Sequence, residues 1–165
     1  MKKEKKLRIF IDGGSRGNPG HGACAAVLID EAGEIVFEEG KFLGRCSNDF
    51  AEYSGLRLAL AAAARMGGQE LEIFTDSDPL VRRFAGAYRG KDAGLAALMA
   101  EVREALEPFR KISLSRVPRE KNKEADRLVS QLLDNARHAP PALDKSLAAE
   151  NAAAGKKAPR RGRAH

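Results

Sequence analysis

The sequence has no long hydrophobic run and very little cysteine. No stretch approaches the about 18 consecutive apolar residues of a membrane-spanning helix, and the apolar segment after the charged start MKKEKK is too short for a signal peptide. The two cysteines, Cys24 and Cys46, lack the C-x-x-C spacing of a metal site and are expected to be free thiols. These absences argue against a membrane protein or a secreted protein, and they predict a cytoplasmic one.

The positive charge is concentrated at the C-terminal end. The formal net charge is +6, and residues 138–165 hold six basic against two acidic residues, so residues 1–137 carry only +2. This final segment is rich in alanine, proline and basic residues and has no apolar period, so we expect it to be disordered. We predict one domain over residues 1–137 and a basic tail over 138–165, which adds solubility or attracts nucleic acid weakly.

Hydrophobic periodicity divides the predicted domain into five strands and four helices. Strands are predicted at residues 7–11, 23–29, 35–42, 71–75 and 112–117, and helices at 49–66, 79–84, 93–109 and 121–137. A meander of three strands followed by alternating strands and helices predicts an α/β fold. Its five-stranded sheet is mixed, antiparallel at one edge and parallel elsewhere, with helices on its faces.

The first predicted strand ends on a carboxylate, Asp12, and a glycine-rich turn follows in DGGSRGNPGHG. The turn contains no lysine and does not match G-x-x-x-x-G-K-[ST], so it is not a phosphate-binding loop of the nucleotide-binding type. It suits a tight hairpin and also a metal site at the end of the strand, and the turn alone does not separate these two interpretations.

Four acidic residues lie where predicted elements begin or end. Asp12 and Asp76 follow the first and fourth strands, whereas Glu52 and Asp126 lie early in the long helix and in the last helix. Functional sites in open α/β sheets gather at the carboxyl ends of parallel strands, so Asp12 and Asp76 lie close together if their strands are neighbours. Clustered carboxylates repel one another unless cations lie between them, and ligands that are all oxygen suit Mg²⁺ or Mn²⁺.

Each acid also has a structural interpretation. Asp12 could serve the turn, and Glu52 could complete a capping box that Asp49 opens. Asp76 could belong to the start of the next helix, and Asp126 lies beside an apolar stripe at the edge of a buried face. Taken singly, the structural role is the more common one, but the four acids together favour a cation site.

Four blocks of the sequence resemble type 1 ribonuclease H: DGGSRGNPG, SNDFAEYSGLRLAL, TDS and VPREKNKEADRL. Their order and spacing match the family from about residue 7 to residue 137. The resemblance implies a sheet with the element order βββαβαβα, one helix fewer than we count, and cleavage of the RNA strand of RNA–DNA hybrids. It implies a catalytic, metal-binding site that holds two Mg²⁺ ions, for which Mn²⁺ can substitute, on Asp12, Glu52, Asp76 and Asp126.

The resemblance also implies contacts to the hybrid. Asn18 and Asn48, with backbone groups of Gly13 and Gly14, would contact the RNA strand, and Ser47 would help to hold a phosphate of the DNA strand. The glycines of the turn are expected to stay small so that a duplex backbone can approach. From the residues alone, the two asparagines serve equally well as a turn residue and a helix cap.

Three positions depart from the family pattern. Asp78 stands where many relatives have a glutamine that touches the RNA, and we expect it to be an N-cap instead. The loop over residues 118–124 lacks the histidine that aids product release in many relatives, and Arg119, Lys121 or the tail are candidates to replace it. Residues 86–94 are too few to form the basic protrusion of some relatives, so we expect weaker hybrid binding, partly offset by the tail.

Two alternatives to a ribonuclease remain open at this point. A hybrid-binding module of the same fold that has lost catalysis is disfavoured because all four acids are present. Another nuclease of the same broad fold is disfavoured by the NPG turn and the A-E-Y helix block. No exposed apolar stripe stands out in the sequence, so we expect a monomer.

Overall fold

The computed structural model describes residues 5–84, 86 and 90–137. The strands are β1 (Lys6–Gly17), β2 (Gly20–Ile29), β3 (Ile35–Cys46), β4 (Glu70–Thr75) and β5 (Lys111–Arg116). The helices are α1 (Asn48–Arg65), α2 (Asp78–Phe84), α3 (Ala93–Ala105) and α4 (Lys123–Arg137), and a single 3₁₀ turn spans Arg119–Lys121. The predicted order of strands and helices is confirmed, and the predicted tail lies outside the described residues.

The strands form one sheet in the order β3-β2-β1-β4-β5. β2 pairs antiparallel with β1 and β3, whereas β4 pairs parallel with β1 and β5. The predicted mixed sheet with an antiparallel meander at one edge is therefore confirmed. β1 is the central strand, and its parallel neighbour is the strand that precedes Asp76.

The first hairpin is longer than the sequence suggested. β1 was expected to stop at Ile11, but it continues to Gly17, which pairs with Gly20 of β2. Glycines have low strand propensity, yet their backbone donors and acceptors are intact, so a glycine run pairs when its partner strand is also extended. The connection is consequently only two residues long, Asn18 and Pro19.

Asp12 therefore lies inside β1 rather than at its end. The parallel pairing between β1 and β4 stops at Phe10 opposite Phe74. Beyond that point β1 is paired only with β2 among the described strands, and Asp12 lies opposite Ala25. The carboxylate thus lies two residues beyond the last β1–β4 pair, at the carboxyl end of the parallel pairing. This is the end of the sheet at which the sequence predicts the site.

Helices cover both faces of the sheet. Alternate residues of a strand point to opposite faces, so Leu7, Ile9 and Ile11 pack under α1 and α3 in one core. On the other face, α4 packs over Ala23, Ala25 and Val27 in a second cluster. Both cysteines are buried and free, as predicted. None of the described helices is both long and apolar enough to cross a membrane.

Two glycines bring α1 close to β1. An added Cβ would lie 2.1 Å from the carbonyl oxygen of Ala51 at Gly13, and 2.7 Å from the carbonyl oxygen of Asp12 at Gly55. Backbone atoms cannot yield as a flexible side chain does, so only glycine fits at either position. This close approach carries the N-terminal half of α1, including Glu52, up to the open end of the parallel strands.

Candidate active site

The four predicted carboxylates come from four separate elements. Asp12 lies on β1, and Asp76 directly follows the end of β4 at Thr75. Glu52 begins the second turn of α1 rather than lying in its first turn, and Asp126 lies in the first turn of α4. α1 and α4 cover opposite faces of the sheet, so the site is assembled from both layers and the strand ends between them.

Asp12, Asp76 and Asp126 lie close enough together to interact electrostatically. Burial raises the pKa of Asp12 to about 7, and the negative charges of Asp76 and Asp126 add to that rise. A side-chain hydrogen bond with Asp126 raises the pKa of Asp12 further. Burial also raises the pKa of Asp76, with Arg119 opposing the rise and Asp126 adding to it. The ionisation of Asp12 and that of Asp76 are therefore each opposed by the negative charge of neighbouring carboxylates.

Glu52 joins this group from the α1 side. Burial raises its pKa to about 7, a hydrogen bond with Ser77 opposes the rise, and the charges of Asp49 and Asp76 add to it. Glu52 is thus connected to the other three acids through Asp76, which also interacts with Asp12 and Asp126.

A divalent cation fits the chemistry of this group. The donors are all carboxylate oxygens, which suits Mg²⁺ or Mn²⁺, and a cation would remove the repulsion and replace the lost hydration that raise these pKa values. Within the described ranges, no group of three or more acidic, histidine or cysteine side chains is placed so that it could hold a metal ion as it stands. The fit therefore rests on the donor chemistry and the mutual electrostatics of the four acids.

The metal-free protein is expected to lose stability as the pH rises from about 4 to about 7. The pKa values of Asp12 and Glu52 rise from 3.8 and 4.5 to about 7 on folding. The native state therefore binds more protons in that window, and raising the pH favours unfolding. Above the window the loss is complete, and it persists.

Urea unfolding in EDTA from pH 4 to pH 8 measures this effect. Other groups titrate too, so the wild type is compared with the double variant Asp12→Asn, Glu52→Gln, which should lose less stability, by on the order of 2 kcal/mol, after allowance for solvent screening. Mg²⁺ at pH 8 should restore stability to the wild type and not to the double variant. Equal pH dependence in the two proteins would contradict the assignment of the raised pKa values.

The hairpin turn and the start of α1 are joined through two asparagines. Asn18 Oδ1 accepts a hydrogen bond from the backbone N–H of Asn48 at 3.0 Å, and Asn48 Oδ1 accepts one from Ser15 N–H at 3.3 Å. Asn48 Nδ2 donates to Glu52 Oε2 at 3.4 Å. Both predicted RNA-contact residues therefore lie together beside a site carboxylate, and each also has a local structural role.

The serines, not the acids, cap α1 and α2. Ser47 Oγ accepts from Phe50 N–H at 3.1 Å, so the predicted capping box between Asp49 and Glu52 is wrong. Each helix begins one residue earlier than predicted, and the N-cap position therefore falls on the preceding serine. Asp49 instead pairs with Arg83 at 2.6 Å.

The same shift corrects the predicted role of Asp78. Ser77 Oγ accepts a hydrogen bond from Leu80 N–H at 3.2 Å, which is the N-cap interaction that we had expected from Asp78. The carboxylate of Asp78 pairs with Arg82 four residues later, at 2.6 Å.

The structure changes the reason for the first glycine of the turn. Gly13 was expected to be small so that a duplex could approach, but the contact that excludes a side chain there is with the backbone of Ala51. At Gly14, an added Cβ would lie 3.5 Å from Asn48 Oδ1, an ordinary contact. The internal packing of α1 on β1 thus requires Gly13, whereas Gly14 has room on its outer side.

One candidate for the missing histidine reaches the site. A guanidinium nitrogen of Arg119 lies 3.7 Å from Asp126 Oδ1, and the Arg119 side chain is 78% exposed. Its charge also opposes the rise that burial causes in the pKa of Asp76. Arg119 therefore offers a solvent-facing positive charge at the rim of the carboxylate group.

Sequence analysis missed Asn122, which is only 2% exposed. Its side-chain Nδ2 donates a hydrogen bond to the backbone carbonyl oxygen of Ile11 at 2.8 Å. Its backbone carbonyl oxygen accepts one from the backbone N–H of Asp126 at 3.1 Å. The available signal was a polar residue four positions before Asp126, and periodicity gives such a residue no special weight.

The chain is similar in sequence to known proteins of one family. Residues 10–132 match the family described as reverse transcriptase-like. Ribonuclease HI of Halobacterium salinarum is 39% identical over 131 residues, which are 79% of this chain and 66% of that protein. A bifunctional protein of Mycobacterium tuberculosis is 36% identical over 132 residues, which are 79% of this chain and 36% of that protein. The chain thus spans less than two thirds of the length of these curated relatives.

Solved structures of RNase H1 proteins have a fold similar to that of this chain. The crystal structure of RNase H1 from the halophilic archaeon Halobacterium salinarum has a TM-score of 0.73 and 38% identity, and the match covers 79% of this chain and 98% of that one. LC11-RNase H1, solved in complex with an RNA/DNA hybrid, has a TM-score of 0.71 and 33% identity, with coverages of 79% and 98%.

Proposed function

The chain belongs to the type 1 ribonuclease H family, and from this membership we propose that it is an endonuclease that hydrolyses the RNA strand of RNA–DNA hybrids. The observation that carries the proposal is the mutual electrostatic interaction of Asp12, Asp76 and Asp126 at the open end of the parallel strands. The relative solved with a hybrid supports the choice of substrate.

The four carboxylates are proposed to be the catalytic, metal-binding residues: Asp12, Glu52, Asp76 and Asp126. Two Mg²⁺ ions, or Mn²⁺ in their place, supply the acidification of water and the charge stabilisation that phosphodiester hydrolysis needs. The products are proposed to carry 5′-phosphate and 3′-hydroxyl ends. Activity is expected at neutral to alkaline pH, because the carboxyls must be ionised to act as ligands.

The protein's own contribution is to hold these ligands and to orient the hybrid. Asn18 and Asn48, with the backbone of Gly13 and Gly14, are proposed to contact the RNA strand through its 2′-hydroxyls, since A-form duplexes are recognised by shape and 2′-hydroxyl contacts. Ser47 is proposed to donate to a DNA phosphate. Its oxygen accepts the capping bond from Phe50, so its hydroxyl proton is still available.

Cleavage of a labelled RNA–DNA hybrid in Mg²⁺ and in Mn²⁺ tests the proposal. Single-stranded RNA, double-stranded RNA and double-stranded DNA serve as controls. We expect cleavage of the RNA strand of the hybrid alone, with product ends that a polymerase can extend from their 3′-hydroxyls. Binding of the hybrid without cleavage in either metal would favour the hybrid-binding module, and cleavage of the DNA controls would favour another nuclease of this fold.

A further inference from the structure

Asn122 is a polar residue at the junction of the two layers that supply the site. It lies in the short connection between the 3₁₀ turn and α4, and it is among the largest side chains that the described residues bury completely. Polar side chains are rarely buried to this degree unless their hydrogen bonds serve the structure around them. Asn122 makes two hydrogen bonds, one to β1 and one to α4.

The first contact is with the strand that carries Asp12. Asn122 Nδ2 donates to the carbonyl oxygen of Ile11, the residue immediately before Asp12, at 2.8 Å. A carbonyl oxygen only accepts, so the amide group must present its NH₂ side here. The β1–β4 pairing stops at Phe10, so Asn122 bonds to the backbone of β1 one residue beyond the last pair.

The second contact is with the helix that carries Asp126. The backbone carbonyl oxygen of Asn122, not its side-chain Oδ1, accepts a hydrogen bond from the backbone N–H of Asp126 at 3.1 Å. This is the first intrahelical hydrogen bond at the start of α4. One residue thus joins the backbone at Asp12 to the backbone at Asp126.

The side-chain oxygen of Asn122, Oδ1, argues against a role for this residue in packing alone. Asn122 Oδ1 is buried and has no hydrogen-bond partner among the described residues. A buried acceptor without a partner is costly, and an apolar residue of similar size would avoid that cost. The amide is therefore kept for its donor, which acts on the Ile11 carbonyl.

We propose that Asn122 is a positioning residue that sets the separation of Asp12 and Asp126 through its bond to the Ile11 carbonyl, and thereby sets the affinity of the site for divalent metal. This inference rests on the proposed function. Without the bond, α4 can still pack through its apolar face on β2, but the start of α4 loses its hydrogen bond to the backbone of β1. The two carboxylates then have to be drawn together by the cation itself, which weakens binding.

The test compares Asn122→Ala with Leu133→Ala. Leu133 is a buried residue of α4 that packs in the cluster over Ala23 and Val27, about 16 Å along the helix axis from Asn122, which precedes the helix. Both substitutions remove packing, but only the first removes the bond to β1. Asn122→Ser, which retains a donor on a shorter side chain, is the second variant in case the alanine variant does not fold.

Two measurements are made on each full-length protein. The thermal midpoint is followed against Mg²⁺ concentration without nucleic acid, and kcat and KM for the hybrid are determined at saturating Mg²⁺. For Asn122→Ala we expect the half-saturating Mg²⁺ concentration to rise about tenfold, the range seen when partners of metal ligands are removed. Because saturating Mg²⁺ compensates for weaker metal binding, we expect kcat and KM for the hybrid to stay near their wild-type values under that condition. The half-saturating Mg²⁺ concentration of Asn122→Ser should lie between those of the wild type and Asn122→Ala. Leu133→Ala should lower the thermal midpoint and leave the Mg²⁺ response as in the wild type.

The outcomes separate this inference from the function on which it rests. If the Asn122 variants lose thermal stability but keep the wild-type Mg²⁺ response, Asn122 is a packing residue and the inference is overturned. If the Leu133 variant shifts the Mg²⁺ response equally, the effect is general loosening of α4 and the inference is again overturned. A wild-type protein that shows neither a Mg²⁺ response nor hybrid cleavage overturns the proposed function and this inference with it.

Discussion

Asp12→Asn is expected to reduce hybrid cleavage by about 1,000-fold or more and to leave hybrid binding intact. Asp12 interacts with both Asp76 and Asp126 and also shares a hydrogen bond with Asp126, so its loss removes one of the central donors of the proposed metal site. A metal ion contributes several kcal/mol of transition-state stabilisation, and each 1.4 kcal/mol is about tenfold in rate. Single-turnover cleavage in Mg²⁺ and fluorescence anisotropy in EDTA measure the two properties separately.

Glu107→Gln is the matched control for this variant. It removes the same unit of negative charge from an exposed carboxylate in the turn that follows α3, and cleavage should remain at the wild-type rate. If Asp12→Asn retains more than a tenth of the wild-type rate, Asp12 is not an essential ligand. If it loses hybrid binding as well as cleavage, the carboxylate acts in the fold or in substrate contact rather than in chemistry.

Gly13→Ala is expected to destabilise the protein by about 3 kcal/mol or more, at the upper end of what overpacking costs. The new Cβ would lie 2.1 Å from the Ala51 carbonyl oxygen, and this neighbour belongs to the backbone of a buried helix. α1 would have to move away from β1, which also displaces Glu52, the next residue along the helix. Urea unfolding should show the loss of stability, and cleavage at a temperature where the variant is folded should fall with it.

Gly14→Ala is the natural comparison, one residue along the same strand. Its added Cβ would meet Asn48 Oδ1 at 3.5 Å, an ordinary contact, so we expect a change in unfolding free energy below about 1 kcal/mol. Similar losses in the two variants would mean that strand propensity, and not the approach of α1, accounts for the effect. A stable Gly13→Ala protein would show that α1 can retreat at little cost.

The order of elements was predictable because each has a clear apolar period, but some bounds were not. β1 was cut short since its second half is glycine, serine and arginine, and only pairing with β2 holds it extended. α3 was predicted too long because Leu106 and Phe109 keep the helical spacing and pack in the same core from the turn after Ala105. In both cases, tertiary contacts overrode the local pattern.

The four carboxylates could be singled out because each lies in a short motif near a predicted element boundary, although Asp12 lies within β1 in the structure. Asn122 could not, since the partner that gives it a role is the Ile11 carbonyl, 111 positions away in the sequence. The N-caps were misplaced by one residue for a local reason. An aspartate and a serine compete for the same position, and the structure selects the serine at both helices.

The supply of site residues from both faces of the sheet also has a consequence for biosynthesis. Asp12, Glu52 and Asp76 all precede residue 80, whereas Asp126 lies on the final described helix and reaches the site only when α4 docks. A chain emerging from the ribosome can therefore bury its first core under α1 before it holds a complete ligand set. With the four acids acting as proposed, hydrolysis is expected to begin only when the last helix docks, whereas helical circular dichroism would already report most of the secondary structure.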